Sequence, residues 1–174
     1  EASLSKISHI MPRKASSSAK AAAPKEHRTV SIVIPVYNEA ENLPQLFEKL
    51  DALIRNQPGN GWEVVLIDDG SKDNSAELIL EKAKADEHYV PVLFKRNFCQ
   101  TAAMQAGFDH ATGDVVVPMD ADLQNDPDDI PMLLEKLDEG YDVVSGWRLN
   151  RQDKPIRRVF VSRVANWIIS RISG

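Results

Sequence analysis

The sequence predicts an α/β fold, a mostly parallel sheet with helices packed on both of its faces. Two observations point that way. Short β-branched runs recur along the chain, and they alternate with stretches whose apolar residues fall at helical spacing. The runs are also nearly continuous Val, Ile and Leu, as strands buried on both faces must be, and a helix between strands is the connection that parallel pairing requires.

The elements follow in order. Val30-Ser-Ile-Val-Ile-Pro-Val36 reads as the first strand, and Leu43, Leu46, Leu50, Leu53 and Ile54 then mark a helix by their spacing. The alternation continues with strand Trp62–Asp68, helix Ser75–Ala85, strand Val90–Lys95, helix Gln100–Ala111, strand Asp114–Met119, helix Asp128–Glu139 and strand Tyr141–Ser145. Residues 1–29 are expected to be a disordered tail. Ala15 to Ala23 is made of Ala, Ser and Lys, with Pro24 after it, and such a segment has too few bulky apolar groups to offset the entropy of ordering. Residues 1–10 lack the apolar centre of a signal peptide and read as vector-derived sequence ahead of Met11.

Charge divides the chain more sharply than its net value of −5 suggests. Residues 1–29 hold six Lys or Arg against two acids, residues 30–153 hold ten against twenty-four, and residues 154–174 hold five against none. A middle segment at −14 repels a polyphosphate backbone, so nucleic acid is not an expected partner. The single cysteine, Cys99, excludes an internal disulfide and a cysteine-based zinc site. It reads as a buried or half-buried thiol rather than a nucleophile, and the four histidines, scattered over tail and helix ends, are assigned no chemistry. Trp62 reads as core, and no apolar run reaches the roughly 18 residues of a membrane span.

In an open α/β sheet the ligand lies outside the carboxyl ends of the strands. Those ends carry Tyr37-Asn38-Glu39, Asp68-Asp69-Gly70-Ser71, Arg96-Asn97, Asp120-Ala121-Asp122 and Gly146-Trp147-Arg148. With fifteen Asp in 174 residues, about one Asp-x-Asp is expected by chance, and Asp126-Pro127-Asp128 is a second. Position distinguishes the first, since a strand ending at Met119 projects Asp120 and Asp122 toward the ligand crevice, where carboxylates hold a hard cation. Gly70, Ser71 and Asp73 have the chemistry of a turn and helix cap. The adjacent carboxylates before that turn suit a nucleobase N–H or a ribose hydroxyl.

Taken in order, Ser31-Ile-Val-Ile-Pro-Val-Tyr-Asn-Glu39, Val65-Leu-Ile-Asp-Asp-Gly-Ser71, Arg96-Asn97, Ala106-Gly107, Met119-Asp-Ala-Asp-Leu-Gln124 and Val144-Ser-Gly-Trp-Arg148 resemble the inverting family 2 glycosyltransferases, most closely those acting on dolichyl and polyprenyl phosphates. The resemblance implies a nucleotide-sugar-binding catalytic domain of Rossmann-like, glycosyltransferase A-type architecture over residues 30–153. It places Pro35, Tyr37, Glu39, Asp68, Asp69, Asp120 and Ala121 around the donor, and Asp120, Asp122 and Gln124 at a Mg²⁺ or Mn²⁺ ion. Asp122, Arg148 and Arg158 become the catalytic group, the arginines on the acceptor phosphate. Cys99 departs from the family pattern, in which Gly is common after Arg-Asn-Phe.

Residues 154–174 place Ile156, Phe160, Val164, Trp167, Ile168 and Ile172 at helical spacing among four arginines. This reads as a basic amphipathic helix, either on a membrane surface or packed on the protein, with the chain ending ahead of any membrane region. The expected partners are a nucleotide-diphospho-sugar, a polyprenyl or dolichyl phosphate and the membrane surface, with the catalytic domain on the cytoplasmic face and a homo-oligomer left open. Two other readings keep an α/β fold. A sugar nucleotidyltransferase wants a Gly-rich basic loop where this chain has Tyr37-Asn38-Glu39-Ala40-Glu41, and a receiver-type signalling domain wants its acidic pair at the first strand and leaves Asp120, Asp122 and Gln124 idle.

Overall fold

The computed structural model describes residues 28–146. Among them, residues 28–140 form one compact unit, and 141–146 belong to a separate one. The first unit runs β1 (Thr29–Val36), α1 (Leu43–Asn56), β2 (Gly61–Asp68), α2 (Ser75–Ala85), β3 (Tyr89–Leu93), α3 (Gln100–His110), β4 (Val115–Pro118), a 3-10 turn over Pro127–Asp129 and α4 (Ile130–Asp138). The strands form one sheet in the order β3-β2-β1-β4, with every pairing parallel. The expected fold class is the one observed.

The continuous apolar runs are explained by burial on both faces. Val30 to Ile34 in β1 and Val64 to Ile67 in β2 are all fully buried. On one face Val30, Ile32, Ile34, Val64 and Leu66 meet Leu43, Leu46, Leu50 and Leu53 of α1, Ile79 of α2, and Ile130 and Leu134 of α4. Burying each of those leucines contributes roughly 2 kcal/mol. Trp62 belongs to the same cluster, and its Nε1–H donates to the Gln57 carbonyl at 3.1 Å. On the other face Val33, Val65 and Ile67 meet α3 through Ala103, Met104 and Ala106. The approach there is close because α3 carries Gly107, where a Cβ would stand 2.2 Å from Val33 Cγ1 and 2.8 Å from Ile67 Cδ1.

The structure moves several expected boundaries. Thr29 already pairs with Gly61 in the sheet, and Arg28 Nη1 donates to Asp138 Oδ1 at 2.6 Å, so the tail stops short of them. The helix expected from Asp128 starts instead at Ile130, because Asp126 accepts from the Asp128 N–H and closes a tighter turn first. No strand forms over 141–145; Tyr141 is a lone bridging residue, and 143–146 have no regular structure. The basic helix expected over 154–174, together with Trp147, Arg148 and Arg158, lies outside the described residues. No helix among those described is long and apolar enough to cross a membrane.

Candidate active site

The strand order puts β2 and β3 on one side of β1 and β4 on the other, so the chain reverses its direction of winding between β1 and β4. A crevice opens at such a switch point, beyond the carboxyl ends of the strands. A cavity of about 390 Å³ occupies that place. Pro35, Val36, Tyr37 and Glu39 line it from the end of β1, Asp69 from the end of β2, and Asp120, Ala121 and Asp122 from the segment after β4. Asn97, Cys99, Gln100 and Ala103 complete the lining from the start of α3.

Seven residues singled out in the sequence therefore meet in one cavity: Pro35, Tyr37, Glu39, Asp69, Asp120, Ala121 and Asp122. Asp68 and Gln124 do not line it. Asp68 is buried, its Oδ2 accepts from the Ser71 N–H at 3.1 Å, and its Oδ1 is buried with no hydrogen-bond partner among the described residues. Gln124 supports Asp122 through the backbone, its N–H donating to Asp122 Oδ1 at 3.0 Å. Sequence reading missed Gln100, whose Nε2–H donates to Asp120 Oδ1 at 3.0 Å. The available signal was a polar residue opening the helix that follows the third strand.

The cavity walls are fixed by a clasp between two loops. The Asn38 N–H donates to Ser71 Oγ at 2.9 Å, the Glu39 N–H to Ser75 Oγ at 3.0 Å and the Ala40 N–H to Asp73 Oδ2 at 3.1 Å, while Asn38 Oδ1 accepts from the Lys72 N–H at 2.8 Å. Asp73 Oδ1 in turn accepts from the Ser75 N–H and Oγ–H. Burial pushes the Asp73 carboxyl upward, but the bonds from Ser75 and Ala40 outweigh it and hold the group below its usual range. Ser71 and Asp73, expected as turn and cap residues, thus fasten the β1 loop as well.

Asp69 fastens the third loop, its Oδ1 accepting from the Phe98 N–H at 2.7 Å. Beside it Gly70, at φ 68°, lies against the backbone of Arg96 and Asn97, where a Cβ would be 2.4 Å from the Arg96 carbonyl carbon. Phe98 stacks under the Arg96 guanidinium at 4.1 Å. Cys99 is exposed, which corrects the expectation of a buried thiol.

Three non-glycine residues among those described have positive φ: Asn38 at 56°, Cys99 at 75° and Leu123 at 59°. Each is in a loop that lines the cavity or immediately follows it. Backbone held in such conformations concentrates at functional sites, where surrounding contacts enforce it.

The donor set suits a hard divalent ion. Asp120 and Asp122 stand two residues apart on the cavity wall, each with one oxygen engaged in the bonds above. Among the described residues no group of three or more His, Cys, Asp or Glu side chains converges on a common point. One or two carboxylates, with the remaining positions filled by phosphate oxygens and water, is the way proteins hold Mg²⁺ with a phosphorylated substrate. The other acidic pair is structural: Asp126 accepts from the Asp128 N–H and pairs with Lys49 Nζ at 3.1 Å.

A parallel sheet with a carboxylate-lined cavity at its switch point defines an α/β ligand-binding domain. The sequence model of glycosyl transferase family 2 matches residues 31–173, and the chain belongs to that family. It is 48% identical over 148 residues to an undecaprenyl-phosphate 4-deoxy-4-formamido-L-arabinose transferase of Salmonella paratyphi A, a match covering 84% of this chain and 45% of the relative. The protein of the same description from Salmonella paratyphi B is 47% identical over the same shares. The chain thus spans less than half the length of these curated relatives. Among solved structures, a mannosyltransferase from Pyrobaculum calidifontis in complex with GDP-Man and Mn²⁺ is similar over 57% of this chain and 29% of its own, at 24% identity and a TM-score of 0.48, a partial likeness of backbone only.

Proposed function

We propose that the chain is the donor-binding part of an inverting transferase that moves a sugar from a nucleotide diphosphate to the phosphate of a polyprenyl lipid. The observation that carries this is the meeting of Asp120 and Asp122 with Glu39 and Asp69 in one cavity at the sheet's switch point. The relatives supply the acceptor class, since their descriptions name undecaprenyl phosphate.

In this reading Pro35, Tyr37, Glu39 and Asp69 take the nucleoside, while Asp68, buried and outside the cavity lining, supports them by fixing the turn at Ser71. Asp120 and Asp122, with Gln124 behind them, hold Mg²⁺ or Mn²⁺, which when bound supplies positive charge to the diphosphate. Gln100 keeps Asp120 turned toward the cavity. Arg148 and Arg158 take the acceptor phosphate, for which a planar guanidinium is suited. The lipid phosphate is already an anion at neutral pH, so no carboxylate has to remove a proton from it. Its oxygen bonds to the anomeric carbon as the bond to the donor diphosphate breaks, and one such in-line displacement inverts the configuration. The basic stretch 154–174 holds the domain against an anionic membrane surface on the cytoplasmic side.

Calorimetric titration of UDP and GDP in Mn²⁺ and in EDTA tests the donor site. Binding of one of them is expected only with metal, and equal affinity in EDTA refutes the reading of Asp120 and Asp122.

A further inference from the structure

We infer that Asn42 is a positioning residue that holds the Glu39 carboxylate in place in the cavity, an inference that rests on the donor-binding reading above. Asn42 occupies the N-cap of α1, where an Asn ordinarily accepts a hydrogen bond from the second or third helical N–H. It makes no such bond. The local chain relieves it of that duty, because the Leu43 N–H already donates to the Glu39 carbonyl at 3.0 Å and Pro44, the second helical residue, has no N–H. The side chain is spent elsewhere: Asn42 Nδ2–H donates to Glu39 Oε2 at 2.6 Å.

Glu39 is held from the other side as well. Its N–H donates to Ser75 Oγ, and its carbonyl accepts from the Asn42 and Leu43 N–H groups. With the backbone fixed, the direction of the carboxylate is the freedom that remains, and Asn42 removes it. Glu39 lines the cavity, where a carboxylate accepts from a ligand hydroxyl or N–H. Ordering that group before the ligand arrives removes the ordering cost from binding.

A cap and a positioning residue respond in opposite ways to the same substitutions. Asn, Asp and Ser are nearly equal as N-caps, so a capping role would tolerate Asn42→Asp and Asn42→Ser, whereas both delete the Nδ2 donor that reaches Glu39. Asn42→Asp also sets a negative charge against Glu39. Asn42→Gln keeps an amide donor and, since Asn42 caps no helical N–H, forfeits no cap bond.

The test measures the thermal midpoint and the affinity for UDP and GDP in Mn²⁺ on the whole chain. The Asp and Ser variants are expected to keep their midpoint within about 2 °C and to bind the nucleotide at least about tenfold more weakly. The Gln variant is expected to keep its midpoint within about 2 °C as well and to stay within about threefold of the unmodified affinity. Asp and Ser variants that bind as tightly as the unmodified chain, or whose affinity falls only in step with their midpoint, overturn the inference. An unmodified chain that binds neither nucleotide overturns the donor reading itself, and this inference with it.

Discussion

Cys99 stands at φ 75° and ψ 157°, a region that is essentially reserved for glycine. Two bonds hold the loop there, the Phe98 N–H donating to Asp69 Oδ1 and the Cys99 N–H to Asn97 Oδ1 at 3.1 Å. The family pattern, with Gly common at this place, now has a physical reason. A side chain in this region costs on the order of 1–3 kcal/mol, and glycine there gives back about 0.5–1 kcal/mol through the freedom of its unfolded chain. Strain is the larger effect. Cys99→Gly is therefore expected to stabilise the domain by about 1 kcal/mol, read as a higher urea midpoint at unchanged slope. A midpoint that falls would show that the loop is not strained. The sequence revealed Cys99 as a departure from pattern but not as an exposed, strained residue, because neither exposure nor φ is set by its near neighbours in the chain. Both are imposed by Asp69 and Gly70, some thirty positions away.

At the scale of elements, the base of the sheet is tied to the α3–β4 connection by Glu63. Its Oε2 accepts from Ser31 Oγ–H at 2.5 Å and from the Thr112 N–H at 2.9 Å, and its Oε1 from Thr112 Oγ1–H at 3.0 Å. Burial pushes the carboxyl upward, but the bonds from Ser31 and Thr112 outweigh it and leave the group below its ordinary 4.5. A carboxyl lowered by folding contributes stability above its unfolded value and loses it as pH falls through the folded one. Glu63→Gln is thus expected to cost about 1–3 kcal/mol at neutral pH, and the gap between variant and parent should close as the pH drops below 4.5. Urea titrations at several pH values measure it, and a gap that stays constant into acid would contradict the assignment. The strands and helices of this unit were legible because each carries its own periodicity, and β1, α1, β2 and α2 lie where Val30–Val36, the Leu43–Ile54 spacing, Trp62–Asp68 and Ser75–Ala85 placed them. Ties such as Glu63 to Ser31 and Thr112 were not legible. They join residues up to 49 positions apart, which no local period encodes. The same holds for the strand expected at Tyr141–Ser145, because a strand exists only through its pairing.

Across the whole molecule, the proposed functions divide along the chain as charge does. The described unit falls in the acidic segment and the basic segment follows it, so donor and membrane chemistry are assigned to different lengths of sequence. Each basic residue near an anionic leaflet contributes about 1 kcal/mol. Reversing Arg157, Arg158 and Arg163 to Glu is therefore expected to abolish co-sedimentation with anionic vesicles, and binding unchanged by the triple reversal would favour a helix packed on protein instead. The same division separates two catalytic tasks that a single rate would confound. Asp122 lines the cavity proposed for the donor, so Asp122→Asn, which removes one charge and keeps the shape, should weaken nucleotide binding and transfer together, by about 100-fold or more. In the proposed mechanism Arg148 and Arg158 hold the acceptor phosphate, whose approach to a diphosphate is opposed by like charge. Arg148→Ala or Arg158→Ala should therefore suppress transfer while leaving nucleotide affinity within a few-fold. The measurement is paired, with donor affinity by titration and sugar transfer to a short polyprenyl phosphate, made in a chain of its relatives' full length. The anomeric configuration of the product is read by NMR in the same assay. Inversion follows from a single displacement by an acceptor that needs no deprotonation, so a retained configuration, or arginine variants that transfer at the unmodified rate, would reject this mechanism while leaving the donor cavity intact.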